Sequence, residues 1–426
     1  MEKFFLLLEV MIPIVAGVLI LKKGSLAIVY MPTIYYASGL YEGKYVPDKL
    51  YYYFFIALLL FFAFFNLPYL KRNIYSNLII LYYLVLALFV DDFILIWEKY
   101  MGLMWLFACV PIIPQIFSNF EREKLEAEIS FSAFAMMALF VVNVVLSTYF
   151  GYNPYEIYRF KGGVLFGKMD SDIYNIFPYA IFVIFRKGIK DNNPLYLGLY
   201  FVCIFLILLT LRRSVMALCL FGTLLAMIEL VKFEEIKKFI LYGLIIAGVA
   251  TVVLSQTSFK DQFIERFEAR GLDKARSLNE ENRMIEFGLL YRDLFVYFDY
   301  DPWFGYGLLN SSGNYGKQIF GKRSLHTDPT NLIHSSGFLG LGLYLLMFGT
   351  LFLSVWKKSK NRADLIRYIF ISTCFLVFFI NGRYTTTPAM LLMLVIFSLP
   401  YAKNNVVLKE QIQSNLNLDK SNYSTA

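Results

Sequence analysis

Residues 194–231 read PLYLGLYFVCIFLILLTLRRSVMALCLFGTLLAMIELV. Two apolar runs meet at one basic pair, Arg212-Arg213, and Glu229 is the only acid in the stretch. A helix rises 1.5 Å per residue, so about 20 apolar residues cross a hydrocarbon core. The stretch therefore predicts a helical hairpin in a membrane, turning at the arginines. Similar runs fall at approximately 4–21, 25–40, 51–70, 74–90, 101–119, 129–150, 172–185, 239–255, 331–355, 365–381 and 385–401. Run 25–40 is short and holds Pro32, and 172–185 needs its flanks to reach across. The chain of 426 residues is 58% hydrophobic and 17% charged, with mean hydropathy +0.56. Soluble domains carry roughly 25% charged residues. A soluble enzyme, a secreted domain and a disordered scaffold are thereby excluded. The expected fold is an all-α integral membrane protein, a polytopic bundle of about 12 (11–13) transmembrane helices.

Orientation follows from the short loops, because basic residues stay on the cytoplasmic side. Lys71-Arg72, Arg122 with Lys124, Arg186-Lys187 with Lys190, Lys237-Lys238, and Lys357-Lys358 with Lys360 and Arg362 mark that side. Asp91-Asp92, the loop 151–171, the loop 256–330 and Asn381-Gly382-Arg383 then face outward, and the C-terminus faces inward. If 25–40 spans there are thirteen helices and the N-terminus is outside; if it lies in the interface there are twelve. This orientation also accounts for the net charge of +8, so no nucleic-acid partner is expected. The start, Met-Glu-Lys and then a run interrupted by Glu9, reads as a retained first span rather than a signal peptide. Cys109, Cys203, Cys219 and Cys374 lie inside apolar runs without CxxC spacing and read as packing residues.

The chain divides into 1–255, a first part of the bundle; 256–330, a large outer loop; 331–401, the last helices; and 402–426, a polar tail expected to be disordered in the cytoplasm. The outer loop carries ten Lys+Arg and eleven Asp+Glu, and long, near-neutral loops translocate readily. Within it Ser277-Leu278-Asn279-Glu280 has the capping-box pattern. Phe287, Leu290, Tyr291, Leu294 and Phe298 then form the stripe of an amphipathic helix. Pro302 is expected to stop that helix, with Gly305 and Gly307 making a turn.

Three kinds of group are candidates for chemistry. Arg212-Arg213 lies on the outer side against the charge rule; it reads either as a snorkelling anchor or as an anion site. Arg283 reads either as a solvated helix residue or as a second phosphate ligand. His326 and His334 are the only histidines. Each is an interfacial hydrogen-bonding group or a general base working near neutral pH. Asp91-Asp92 reads as a helix stop or a cation site, and Asp299, Asp301 and Asp328 as groups supporting His326. Gly337, Gly340 and Gly342 read as small residues for close helix packing. The aromatics Tyr297, Tyr300, Trp303, Tyr306 and Tyr315 suit either the membrane interface or sugar stacking.

Four motifs in order carry a resemblance. Arg159-Phe-Lys-Gly162-Gly163-Val-Leu-Phe166-Gly167, Leu209-Thr-Leu-Arg212-Arg213-Ser214, Arg283 with Pro302-Trp-Phe-Gly305-Tyr-Gly307, and His326 with Gly337-Phe-Leu-Gly340 resemble the bacterial O-antigen polymerase and O-antigen ligase superfamily. The likeness covers about 155–345. Arg212 stands where that family has serine, and Thr327 where asparagine is common. The resemblance implies a GT-C-like, metal-independent glycosyltransferase of the inner membrane without a cofactor, its active site facing the periplasm. Its substrates would be undecaprenyl-diphosphate-linked oligosaccharides, with a chain-length regulator protein as a further partner. By this likeness Arg213 and Arg283, with Arg212 beside them, hold the donor diphosphate and His326 is the acceptor base. Arg159, Asp328 and His334 are supporting residues. A polymerase is favoured over a ligase acting on lipid A-core, and either over a lipid-linked oligosaccharide flippase, because charge is concentrated on one face rather than along a central path.

Overall fold

Apolar runs without β-branched alternation or strand-breaking turns leave the helix as the one way to satisfy the backbone in lipid. The computed structural model of the protein describes residues 2–40, 47–152, 173–231, 282–382 and 384–403, with Gly167, Gly248, Ile264 and Glu268 as single positions. Among these residues the fold is all-helical, with only isolated β-bridges. We number the α-helices α1 Glu2–Lys23, α2 Met31–Ser38, α3 Asp48–Phe64, α4 Ile74–Ala87, α5 Phe93–Phe117, α6 Arg122–Tyr149 and α7 Phe177–Lys190. There follow α8 Pro194–Leu209, α9 Arg213–Leu230, α10 Asn282–Arg292, α11 Asp328–Lys358, α12 Arg362–Asn381 and α13 Thr387–Phe397. Five of them, α5, α6, α9, α11 and α12, are long and apolar enough to cross a membrane. The sequence runs 4–21 and 25–40 through 385–401 that fall on described residues are all helical; 239–255, the capping box 277–280 and most of the tail 402–426 lie outside them.

The core is a set of helices buried on every side. Helix α5 is almost wholly enclosed, and α13 is buried from Ala389 to Phe397. Helix α13 packs on α5, α2 and α7. Residues 25–40 belong to this core: a 3-10 turn, Gly24–Tyr30, runs into α2 with nearly every side chain buried. An interfacial helix would keep one wet face, and this segment has none. The surrounding helices show the reverse, with Leu81, Leu88, Leu195, Leu353 and Leu376 exposed. An apolar belt of this extent is unfavourable in water and suits lipid. The four cysteines are free and buried, as packing residues should be.

The basic clusters separated in sequence meet at one end of the bundle. Arg122 Nη1 donates to Asp364 Oδ2 at 2.9 Å, Lys190 Nζ to Glu126 Oε2 at 3.0 Å, and Arg72 Nη2 to Ser118 Oγ at 3.0 Å. Lys403 shares backbone bonds with Phe120 and Arg122. Lys23, ending α1, pairs with Glu128 at 2.6 Å on α6. Hence the described short-loop residues grouped by charge occupy one face, called here the basic end; Lys237-Lys238 lie outside the described residues.

At the opposite end α11 is broken. Gly337 has φ 64° and ψ −170°, outside helical geometry. The segment Pro302–Gly307 fills the break. Phe338 N–H donates to the Pro302 carbonyl at 2.8 Å and Leu339 N–H to that of Trp303 at 3.3 Å, while Tyr306 N–H donates to the His334 carbonyl at 2.7 Å. Backbone groups freed at membrane depth must find partners, and this loop supplies them. Gly305 is required here, since a β-carbon would sit 2.6 Å from the His334 carbonyl oxygen. Gly337 is a packing glycine as expected, since a β-carbon there would lie 2.1 Å from the Trp303 backbone, but what packs on it is the inserted loop rather than a helix, and its left-handed φ also makes the break. Gly340 does pack closely, against Ser336, whereas nothing approaches Gly342 within 4 Å.

Candidate functional site

Helix α10 and the segment leading into α11 build the site. Thr327 is the N-cap of α11, its Oγ1 accepting from Thr330 N–H at 3.2 Å. Threonine is among the residues suited to that position. Pro329 opens the helix rather than breaking the segment, and α11 starts at Asp328, three residues before the expected 331. The cap fixes His326 just outside the helix, with its side chain 39% exposed. Its backbone N–H donates to Glu286 Oε2 at 2.8 Å and its Nδ1 lies 3.0 Å from Glu286 Oε1. Glu286 is fully buried, and Arg323 Nη2 stands 3.1 Å from the same Oε1.

Arg323 Nε also lies 3.2 Å from His326 Nδ1, so two neighbours compete for that nitrogen. The carboxylate contact is the shorter. Arg323 already reaches Glu286 through Nη2, and its part-exposed Nε can turn to water. With the proton on Nδ1 the ring donates to Glu286, and Arg323 Nε–H, which cannot then donate to Nδ1, turns to water; with the proton on Nε2, Nδ1 accepts from Arg323 Nε–H. In the first of these tautomers the site has its base, and Nε2 is left with its lone pair as the nitrogen open to a substrate.

Arg283 lies one helical turn before Glu286 and hydrogen-bonds Asn381 Oδ1 at the end of α12. The next residue of that end, Gly382, has φ 75°, and a β-carbon there would overlap the His326 carbonyl. The α12 terminus thus touches both Arg283 and His326, and two of the expected site residues are brought together. Asp328 is buried beside them, but its Oδ1 accepts from Tyr384 N–H at 3.0 Å and so fixes the α12–α13 turn. Asp301 accepts from Trp303 and Phe304 N–H at 2.7 and 3.0 Å and shapes the inserted loop. Asp299 is exposed.

Arg212 and Arg213 stand at the α8–α9 turn. Leu211 there has φ 55°, a left-handed conformation costly for a branched side chain. The turn sends Arg212 inward, its guanidinium 4.8 Å from the Tyr174 ring centroid, and leaves Arg213 exposed. The inward arginine is therefore Arg212. No hydrogen bond or ion pair between described residues joins either to the histidine cluster. Arg159 lies outside the described residues; from the same motif Gly167 packs against Asn143 and Ser147. Asp91 and Asp92 are exposed at the start of α5.

His334 is fully buried one turn above the break. Its Nε2 lies 2.9 Å from the Asn314 carbonyl, and Tyr300 and Tyr306 flank the ring at 5.2 Å. Above it a recess of about 190 Å³ is lined by Asp293, Tyr300, Tyr306, Asn314, Tyr315 and Lys317. Burial raises the Asp293 carboxyl above its ordinary range, although Gly316 N–H donates to its Oδ2 at 2.7 Å. Burial also pushes the Tyr315 hydroxyl up to about 12, helped by the nearby Glu286 charge. That influence, with Leu289, Tyr315 and Leu325 packed together, makes the recess a neighbour of the Glu286–His326 pair. An apolar cleft of about 800 Å³ runs between α4 and the second half of α11, roofed by Phe304–Leu308.

The residue that the sequence reading missed is Glu286. Helix α10 buries Glu286, Leu289, Leu290, Asp293 and Leu294 and exposes Phe287, Tyr291 and Phe295. The expected apolar stripe therefore packs only in part, at Leu290 and Leu294. Asp293–Tyr297 continues the helix as a π-turn, and Phe298 in left-handed geometry ends it, four residues ahead of the expected stop at Pro302. The signal available in the sequence was two acids, Glu286 and Asp293, at seven-residue spacing, which puts them on one side of the helix.

Comparisons of the chain with protein-family models, with curated proteins and with solved structures find no match.

Proposed function

We propose that this membrane protein is a surface-polysaccharide polymerase of the O-antigen type, joining undecaprenyl-diphosphate-linked repeat units at the periplasmic face of a bacterial inner membrane. The observation that carries the reading is the exposed His326, oriented by the buried Glu286 and standing beside Arg283 at the end of the bundle away from the basic clusters. A carboxylate on Nδ1 that leaves Nε2 free is the arrangement of a general base. In the proposed reaction an acceptor hydroxyl oxygen attacks the anomeric carbon and His326 Nε2 takes its proton. The bond from anomeric carbon to phosphate oxygen breaks, and the diphosphate leaves with the electron pair. Arg283 lies nearest to neutralise that charge, with Arg212 and Arg213 assigned to the same task by resemblance. The tyrosine-walled recess suits a sugar ring, and the apolar cleft under Phe304–Leu308 suits a polyprenyl chain. The pairing of Lys23 with Glu128 supports counting residues 24–38 as a crossing, which gives thirteen spans in a GT-C-like bundle with the N-terminus on the side of His326.

The test is turnover by purified protein in proteoliposomes on an undecaprenyl-diphosphate-linked oligosaccharide. His326→Ala is expected to lose about 10²–10⁴ in rate, as removal of a general base does. Arg213→Ala and Arg283→Ala are also expected to fall strongly, with all three variants inserted normally. EDTA is expected to leave wild-type turnover intact. Near-normal rates in His326→Ala would remove base catalysis by this residue, and rescue by Mg²⁺ after chelation would redirect attention to Asp91 and Asp92.

A further inference from the structure

The basic end contains more positive charge than its own carboxylates can satisfy, arranged around an open cleft. The cleft has a volume of about 530 Å³, and its walls include Arg122, Arg186, Lys190, Arg362, Arg367 and Lys403. Four carboxylates stand among or behind these cations. Asp364 takes Arg122 and, at 2.8 Å, Arg367 Nη1. Glu126 takes Arg367 Nη2 at 2.6 Å and Lys190 at 3.0 Å; Glu229 takes Arg186 Nε at 2.9 Å; and Glu123 lines the cleft. Six cations thus face four carboxylates. Arg362 bonds only the Ile228 carbonyl, at 2.6 Å, and among the described residues neither it nor Lys403 has an acidic partner. Arg367 is the telling residue. It is 3% exposed, it lines this cleft and a neighbouring one of about 340 Å³, and among the described residues its enclosed Nε–H has no acceptor. A buried guanidinium N–H left without a partner is costly, and a network built only for stability would have filled that position.

We infer that this cleft is an anion site for a phosphate group, separate from the His326 site and independent of the function proposed for it. The charge of a phosphate offsets the surplus at Arg362 and Lys403, whose exposed side chains line the cleft, and planar guanidinium donors match phosphate geometry. Two sources carry this chemistry at such a membrane face, the headgroup of an anionic phospholipid and a free phosphate or diphosphate.

The test uses the full-length protein purified in detergent. Native mass spectrometry reads lipid retained from mixtures of phosphatidylglycerol and phosphatidylcholine. Thermal unfolding is followed in parallel with each lipid and with inorganic phosphate or pyrophosphate. The variant is Arg362→Ala with Lys403→Ala, which leaves every acid–base pair named above in place; its unfolding temperature without ligand checks that it folds. Retention of phosphatidylglycerol over phosphatidylcholine, weakened roughly tenfold in the variant, supports the site with a headgroup as ligand. Stabilisation by millimolar pyrophosphate or phosphate, lost in the variant, supports it with a soluble source. If wild type shows neither preference nor stabilisation, or the double variant binds as wild type does, the proposal is overturned and the cluster is an ion-pair network alone.

Discussion

The two ends of the bundle use charge in opposite ways. At the basic end arginines saturate carboxylates in pairs and triples, with Arg122, Arg367 and Lys190 all drawn to Glu126 or Asp364. At the other end each charged group has a separate assignment: Glu286 orients His326, Asp328 holds the Tyr384 turn, and Asp301 shapes the loop in the α11 break. The first arrangement ties helix ends together. The second fixes positions around an exposed histidine. Numbers of charges identify a membrane face, whereas a buried charge gathered around one exposed histidine identifies a place for chemistry.

The comparison predicts different failures at the two ends. Asp364→Ala strips the buried Arg367 and the part-buried Arg122 of a shared partner. Loss of one side of a buried pair costs about 3–5 kcal/mol, so unfolding should shift strongly while turnover per folded molecule stays within about twofold of wild type. A large fall in turnover with unchanged stability would erase the distinction between the ends. Glu286→Gln should do the reverse. It keeps an acceptor for the His326 backbone but removes the charge that fixes the ring, and kcat should fall about 10²–10³-fold with KM little changed. Equal losses in kcat and stability would make Glu286 a structural residue only.

What could be read in the sequence divides along the same line. The basic end was legible because the positive-inside tendency acts on short loops one at a time, and the helices then bring those loops together. His326 and Arg283 were legible as residue types out of place. Glu286 was not, because a stripe of Phe287, Leu290, Tyr291 and Leu294 is normally assigned to the packed face. That rule assumes water outside. In this helix the exposed side is aromatic and the enclosed side carries Glu286 and Asp293. The break at Gly337 was hidden for a related reason: a glycine in an apolar run has two readings, and only the Pro302–Gly307 loop, distant in sequence, decides between them. Arg212 and Arg213 illustrate a third limit, since the strained φ of Leu211 determines which arginine turns inward.

The smallest expected effect concerns pH at the tyrosine-walled recess. Burial raises the folded-state pKa of Asp293 above its unfolded value. Its contribution to stability is then full below the ordinary carboxylate pKa and is lost as pH rises through the raised value. Protease cleavage within residues 310–322 should therefore quicken as pH rises across that window, and the step should flatten in Asp293→Asn. Slower cleavage with rising pH would contradict the sign.

The central claim is that the outer end, through His326, carries out glycan polymerisation. The direct measurement is the surface-glycan ladder of a deletion strain carrying either the wild-type gene or His326→Ala at matched membrane abundance. The account predicts core with a single repeat unit in the deletion, a full ladder restored by wild type, and no restoration by His326→Ala. Bare core with long glycan accumulating on its carrier lipid would instead make the protein a ligase. A ladder unchanged by deletion, or restored fully by His326→Ala, would contradict the account.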